Sequence, residues 1–512
     1  MRTSLSLLVS VSMLLLTAGG RSQAQVGLSA APPLQPSFAP LAPAETPHYY
    51  TYPEFSNVIT VTVATPASQV GEGLIFLAGM GILTQAQPGL LIVDDQGEPV
   101  YIQPTQRGLL ATDFKVQSVG GAPYLVYHLG TPVRGWTNGT YYVMDSSYTL
   151  VDTWTISNSY GADLHELQLL ENGHALLLSY VPIPWDLSPY GGPVNGEVMD
   201  IVIQEQDAAK DVVFEWRGSD HIPITDTYAT LTRSPVDYIH TNAIEVDWDG
   251  NLLISSRNLS EVTKIDRQSG AIIWRLGGKA NQFTFTNDDG FSYQHDIRRL
   301  PNGNITLFDN GVQFSPPHSR AVEYAIDEVN KTVTRVWQYP ADDSRYSPFM
   351  GNAQRLENGN TFIGWGSQPV VSEVTPDGEL ALELRLGGVS YRAFRFPWEG
   401  LPAEPGRTAV LAGDDLSTVT VYAAWNGATG VSGYEIYAGP TLDALTPITV
   451  TQRTGFESSV RLNNMPADYC VYQARPIHIS GAPMPFAHPA VRADLLECRD
   501  LVELQYFPII WR

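Results

Sequence analysis

One kind of β-hairpin recurs six times between residues 89 and 388, as "GLLIVDDQGEPVYIQ", "YYVMDSSYTLVDTWTI", "DIVIQEQDAAKDVVFEWRG", "VTKIDRQSGAIIWRLGG", "AVEYAIDEVNKTVTRVWQY" and "VSEVTPDGELALELRLGG". Each copy sets two short runs rich in Val, Ile, Tyr or Trp around a polar or glycine turn, the pattern of paired strands. A second kind alternates with the first: "DFKVQSVGGAPYLVYHLG", "DLHELQLLENGHALLLSY", "DYIHTNAIEVDWDGNLLISSRN", "YQHDIRRLPNGNITLFDNG" and "MGNAQRLENGNTFIGWGS". Two hairpins make a four-stranded blade, so six outer hairpins predict six blades around one axis. The fold class is therefore all-β, with a six-bladed β-propeller over residues 57–398. The sixth inner pair is expected from "SNVITVTVATP" and "GLIFLAGMG". An open β-sandwich, which needs no such repeat, is the alternative architecture.

After "FRFPWEGLPAEPGRT" the pattern changes. "STVTVYAAWNGATGVSGYEIYAG" places Trp425 and Tyr434 in successive strands, which predicts a fibronectin type III or immunoglobulin-like β-sandwich over residues 405–499, with a tail at 500–512. At the other end, residues 1–24 have a basic start, an apolar stretch too short to span a bilayer and small residues at Ser22 and Ala24. They read as a cleaved signal peptide, or otherwise as an uncleaved anchor. A proline-rich segment follows over residues 25–56. The expected location is secreted or periplasmic, with no membrane span in the mature chain. Cys470 and Cys498, the only two cysteines, are expected to pair there. A net charge of −23 repels phosphate backbones and anionic lipid, so nucleic acid is not an expected partner.

Register links the polar residues of the second hairpin type. Seven residues before the first turn residue stand His165, Asn242 and His295, and His240 shares the strand face of Asn242. Seven residues after the turn glycine Gly250 stands Arg257, at the same end of its hairpin as Asn242. Equivalent ends of inner strands converge on a propeller's axis, so these five side chains are expected around one pocket. A guanidinium with an amide and imidazoles suits an anion with several oxygens. Three histidines could also hold zinc, but a fixed positive charge beside them opposes a cation, and no metal is expected. His128, His174, His221, His318, His478 and His488 read as structural. Trp136, Tyr180, Tyr293, Trp365 and Tyr391 are candidates for an aromatic wall, although blades also pack on aromatics. The chain contains no GxSxG elbow, HExxH or P-loop.

"DLHELQLLENGHALLLSY", "DYIHTNAIEVDWDGNLLISSRN", "IDRQSGAIIWRLGGK", "QHDIRRLPNGNITLFDNG" and "GNAQRLENGNTFIGWGSQP" together resemble, in matching order, the arylsulfotransferase family of secreted, nucleotide-independent sulfotransferases. The resemblance implies a six-bladed propeller that moves a sulfuryl group from an aryl sulfate to a phenol through a sulfated histidine, by ping-pong kinetics and without a cofactor. It implies that His295 in "QHD" is the nucleophile. It also implies that Arg257 in "SSR", His165 in "LHE", and His240 and Asn242 in "IHTN" bind sulfuryl oxygens and assist the leaving group. The expected partners are small aryl sulfates and phenols. The chain departs from the family in having no cysteine pair in its propeller near the nucleophile. A non-catalytic extracellular propeller that binds an anionic ligand or glycan is the other functional reading.

Overall fold

The computed structural model describes residues 48–55, 60–80, 88–133, 135–157, 161–340, 345–413, 415, 417–495 and 498. The expected signal peptide at 1–24, most of the proline-rich segment and the tail at 500–512 lie outside these residues. Regular structure is almost wholly strand, with a few single-turn 3₁₀ segments. No helix among the described residues is long and apolar enough to cross a membrane.

Six sheets carry the propeller repeat, each with four successive antiparallel strands. From inside outward, the second blade runs Leu110–Val119, Ala122–Val133, Trp136–Met144 and Leu150–Trp154. The third runs Leu167–Leu169, Ala175–Trp185, Gly196–Gln206 and Val212–Arg217. The fourth runs Thr241–Val246, Leu252–Ser256, Glu261–Ile265 and Ile272–Gly277, the fifth His295–Arg299, Ile305–Asp309, Arg320–Asp327 and Thr332–Tyr339. The sixth runs Asn352–Arg355, Thr361–Gly364, Val370–Val374 and Leu380–Leu386.

The first blade differs from the sequence expectation. Leu74–Met80, containing most of "GLIFLAGMG", is its second strand, and its innermost strand is Val389–Phe396 from the far end of the repeat. Val61–Thr65 instead adds a fifth, outer strand to the sixth blade by pairing with Leu380–Leu386. The reason lies in "VSYRAFRF", whose arginines suggest exposure but are buried. Arg392 pairs with Asp113 and Glu166, and Arg395 with Asp95 and Glu373. Polar bonds close the ring from blade to blade. Lys115 reaches Glu166, Gln168 Nε2 donates to Ile244 O, Asn242 Nδ2 to Gln294 O, Asn352 Nδ2 to Ala393 O, and Arg392 Nη1 to Asp113.

Two hairpins outgrow their inner strands at the same end of the ring. Leu110 pairs with Gly130, yet Ala122–Val133 and Trp136–Met144 continue pairing to Val133 and Trp136. Leu167 pairs with Leu177, yet Ala175–Trp185 and Gly196–Gln206 continue to Trp185 and Gly196.

Beyond the ring, three strands (Arg407–Ala412, Val419–Ala424, Ser458–Leu462) and four (Thr446–Gln452, Val431–Gly439, Val471–His478, Ala490–Val491) form two sheets. They share one apolar core that contains Trp425 and Tyr434. Cys470 and Cys498 form a disulfide, and Asn426 bonds both the N–H and C=O of Ile102 in the first blade.

Candidate active site

The inner strands begin at the end of the ring where the long hairpins project, and the polar residues picked out by register lie there. His295 opens the inner strand of the fifth blade, His240 immediately precedes that of the fourth, and His165 stands two residues before that of the third. Arg257 follows the strand Leu252–Ser256. These four side chains line one cavity of about 500 Å³, together with Asp237, Asn258 and Tyr391. The hairpin that carries His240 and Arg257 is stitched shut at its open end. Arg257 N–H donates to His240 O at 2.8 Å, Asn258 N–H to Ile239 O at 3.0 Å and Asn258 Nδ2 to Asp237 O at 2.7 Å. His240 and Tyr293 take left-handed backbone angles, φ 55° and 56°, which non-glycine residues hold only where surrounding bonds fix them.

His295 is buried, and its Nδ1 lies 2.7 Å from Asn310 Oδ1. Asn310 Nδ2 donates to both Ser347 O and Met350 O, so its Oδ1 faces the ring as an acceptor. This network assigns the proton of His295 to Nδ1 and leaves the lone pair on Nε2, which accepts only a long bond, 3.3 Å, from Met350 N–H. Burial, followed by the like charge of Arg257 and the neighbouring His240, holds the His295 imidazole well below its ordinary pKa. The ring is therefore neutral at pH 7, with one nitrogen able to attack.

The other two imidazoles are backed by carboxylates. His165 Nδ1 bonds Asp163, whose second oxygen accepts Thr137 N–H, and His240 Nδ1 bonds Asp237 at 2.5 Å. Burial pushes the His240 pKa down against the pull of Asp237. The His165 and His240 ring centres lie 5.0 Å apart, and those of His240 and His295 lie 6.5 Å apart. With Nδ1 held by a carboxylate, each Nε2 can take or give a proton.

Arg257 has no ion pair with any carboxylate among the described residues. Two of its five N–H donors are engaged, Nη1 with Asn258 Oδ1 at 2.9 Å and Nη2 with Pro348 O at 3.1 Å, while its guanidinium lies over Tyr293 at 4.7 Å. A largely buried guanidinium with no ion-paired carboxylate among the described residues, beside a neutral imidazole, has the donor chemistry to receive an oxyanion.

Asn242 is not a lining residue. It is fully buried, its Nδ2 donates to Gln294 O and its Oδ1 accepts Asp296 N–H, so its amide fixes the strand bearing His295 and is not free for sulfuryl oxygens. The aromatic candidates divide. Trp136 and Tyr391 line the cavity, Tyr293 lies under Arg257, and Tyr180 contacts His165 and His240. Trp365 is a core residue whose Nε1 bonds Ser372 Oγ. Asn310 and Tyr180 were not singled out by register, although the signal was present. Counting seven residues from the turn glycine, as for Gly250 and Arg257, reaches Tyr180 from Gly173 and Asn310 from Gly303.

The fold and this site define a β-propeller with one cavity lined by three histidines and an arginine. The family described as Arylsulfotransferase (ASST) matches residues 115–387, more than half of the chain, and the chain belongs to that family. It is 30% identical to the arylsulfate sulfotransferase AssT of Escherichia coli over 167 residues, 25% of this chain and 28% of the relative. It is 31% identical to that of Lelliottia amnigena over 121 residues, 22% of this chain and 20% of the relative. The matched segments thus span less than a third of each relative's length. Among solved structures, a protein of unknown function from Bacteroides caccae aligns with 63% of this chain and 98% of its own, at 14% identity and a TM-score of 0.40. A virginiamycin B lyase from Staphylococcus aureus aligns with 62% and 81%, at 12% identity and a TM-score of 0.31.

Proposed function

We propose that this chain is an aryl-sulfate sulfotransferase that carries the sulfuryl group on His295. The observation that supports this reading best is the pairing of a neutral imidazole, its Nε2 lone pair available, with the unpaired guanidinium of Arg257. In the first half-reaction, Nε2 of His295 attacks sulfur. An N–S bond forms, the S–O(aryl) bond breaks, and the leaving oxygen takes a proton from Nε2–H of His240 or His165. The anionic substrate itself favours the protonated form of these imidazoles. Arg257 meets the charge on the sulfuryl oxygens with preorganised donors. In the second half-reaction a phenol gives its proton to the same imidazole, its oxygen attacks sulfur, and the N–S bond breaks. Covalent catalysis thus divides one difficult transfer into two.

The donor is an aryl sulfate and the acceptor a phenol, consistent with an apolar wall of Met80, Leu110, Leu164, Val389 and Tyr391 facing the polar groups. The scheme uses no nucleotide or metal. The C-terminal pair of sheets is read as a fibronectin type III-like domain over residues 405–499, following a propeller over 57–398. A disulfide suits an oxidising compartment, which supports a secreted or periplasmic location. Initial rates with a chromogenic aryl sulfate, measured at several fixed phenol concentrations, test the reading. Parallel double-reciprocal lines are expected, with turnover abolished in His295→Ala; turnover unchanged in that variant would overturn the assignment.

A further inference from the structure

The two overhanging hairpins enclose a second cavity, of about 490 Å³, beside the one that holds the histidines. Val133, Trp136 and Thr137 line it from the second blade, and Tyr180, Pro182 and Met199 from the third. The cavities adjoin at Trp136, which lines both. Trp136 is stacked on Tyr180 with ring centres 5.7 Å apart and planes 6° from parallel. Tyr180 is fixed in turn by its hydroxyl, which donates to Thr241 O at 2.7 Å, and its ring centre lies 5.7 Å from that of His240. A stacked aromatic pair therefore borders both the histidine cavity and an apolar cleft open to solvent. Each cavity is in the size range that accommodates a small organic ligand, so the two together exceed what one phenol ring fills.

We propose that this cleft is a second aryl compartment of the same site, holding the part of a multi-ring phenol that lies beyond the ring bearing the reacting oxygen. The proposal rests on the sulfuryl-transfer reading for the identity of the first ring. The shared Trp136 side chain sets the two cavities side by side, and the face of the Trp136–Tyr180 pair turned to the cleft supplies the stacking surface. Glu197 is the one carboxylate among the described lining residues, and it disfavours a second anionic group on the distal ring. The hairpins of these two blades extend past their inner strands, so substrate length is read by elements that carry none of the reacting groups.

The test compares phenol with 4-phenylphenol as acceptors for one chromogenic aryl sulfate, using the full chain and the variants Val133→Trp and Pro182→Arg. Both substituted residues are solvent-exposed, which leaves the core intact. In the unsubstituted chain kcat/KM for 4-phenylphenol is expected to exceed that for phenol by about tenfold, the value of burying one further ring in part. Both variants are expected to lose that preference while keeping the phenol rate. Equal use of the two acceptors by the unsubstituted chain, or a preference retained in both variants, overturns the compartment. Equilibrium binding of 4-phenylphenol, followed by quenching of tryptophan fluorescence, separates this from failure of the transfer chemistry. Binding weakened about tenfold in both variants, in a chain with no turnover, supports the compartment and contradicts the sulfotransferase reading. Binding that is unchanged in both variants overturns the compartment whether or not turnover is seen.

Discussion

Replacing Arg257 with methionine separates catalysis from stability in this site. The guanidinium has no carboxylate partner among the described residues, and its protein contacts are two hydrogen bonds and the face of Tyr293. The other three of its five N–H donors make no hydrogen bond among the described residues. Burying the guanidinium costs desolvation energy, and relief of that cost offsets the two hydrogen bonds lost at Asn258 Oδ1 and Pro348 O, so an apolar side chain of similar length is expected to change unfolding free energy by less than about 1 kcal/mol. Activity should behave in the opposite way. Losing a single preorganised donor to developing charge typically costs about 3 kcal/mol, roughly a hundredfold in rate, and this substitution removes all those facing the ligand. The expected result is a fall in kcat/KM of at least about a hundredfold with an unchanged urea midpoint, and partial recovery in Arg257→Lys. The pH profile should move as well. Arg257 is, after burial, the largest influence holding the His295 pKa down, so removing it raises that pKa and shifts the acid limb of kcat/KM to higher pH. A kcat/KM within threefold of the unsubstituted chain, or a loss that merely follows a collapse in stability, would refute the reasoning.

Asn310→Leu removes the acceptor for His295 Nδ1–H and the side-chain donor to Met350 O, while Ser347 O keeps the Ser319 hydroxyl; about 1–3 kcal/mol of destabilisation and a comparable rise in the barrier are expected, read by urea titration and kcat/KM. Asn310→Asp keeps the acceptor but adds a negative charge, so its acid limb should move to higher pH. His128 is fully buried and desolvation pushes its pKa down to about 4, below the value of about 6.5 in an unfolded chain. Its folded-state pKa is the lower one, so its contribution is complete above about pH 6.5 and is lost as pH falls towards 4. The difference in unfolding free energy between the unsubstituted chain and His128→Asn should accordingly shrink by about 3 kcal/mol between pH 7 and pH 4, and a constant difference would count against a buried neutral imidazole. Reducing the Cys470–Cys498 disulfide, which spans 28 residues, should cost the C-terminal sheets about 3.5 kcal/mol while leaving sulfuryl transfer unchanged, measured by calorimetry beside the activity assay.

The repeat and the site were legible for the same reason. Inner hairpins of one length place their ends at one radius, so counting from a turn locates His165, His295 and Arg257 without coordinates. Closure of the ring was not legible, because Val389–Phe396 joins Leu74–Met80 across more than three hundred residues of chain and carries arginines that neutralise buried carboxylates. Strand patterning cannot distinguish such a residue from an exposed one. Asn242 illustrates a different limit. Register placed it beside the histidines, but which atoms its amide would meet depended on a bulge that presents the backbone of Gln294 and Asp296 to it. The carboxylates behind His165 and His240 stand two and three residues upstream, in connections outside the regular inner-strand register.

The central claim is that His295 becomes sulfated. Rapid mixing with excess chromogenic aryl sulfate and no acceptor, followed by alkaline quench and peptide mass spectrometry, examines it directly. The account predicts a sulfuryl group on the peptide containing His295, close to one per chain, that is discharged within one turnover when a phenol is added. Full turnover with no such adduct, or an adduct on another residue, would contradict it.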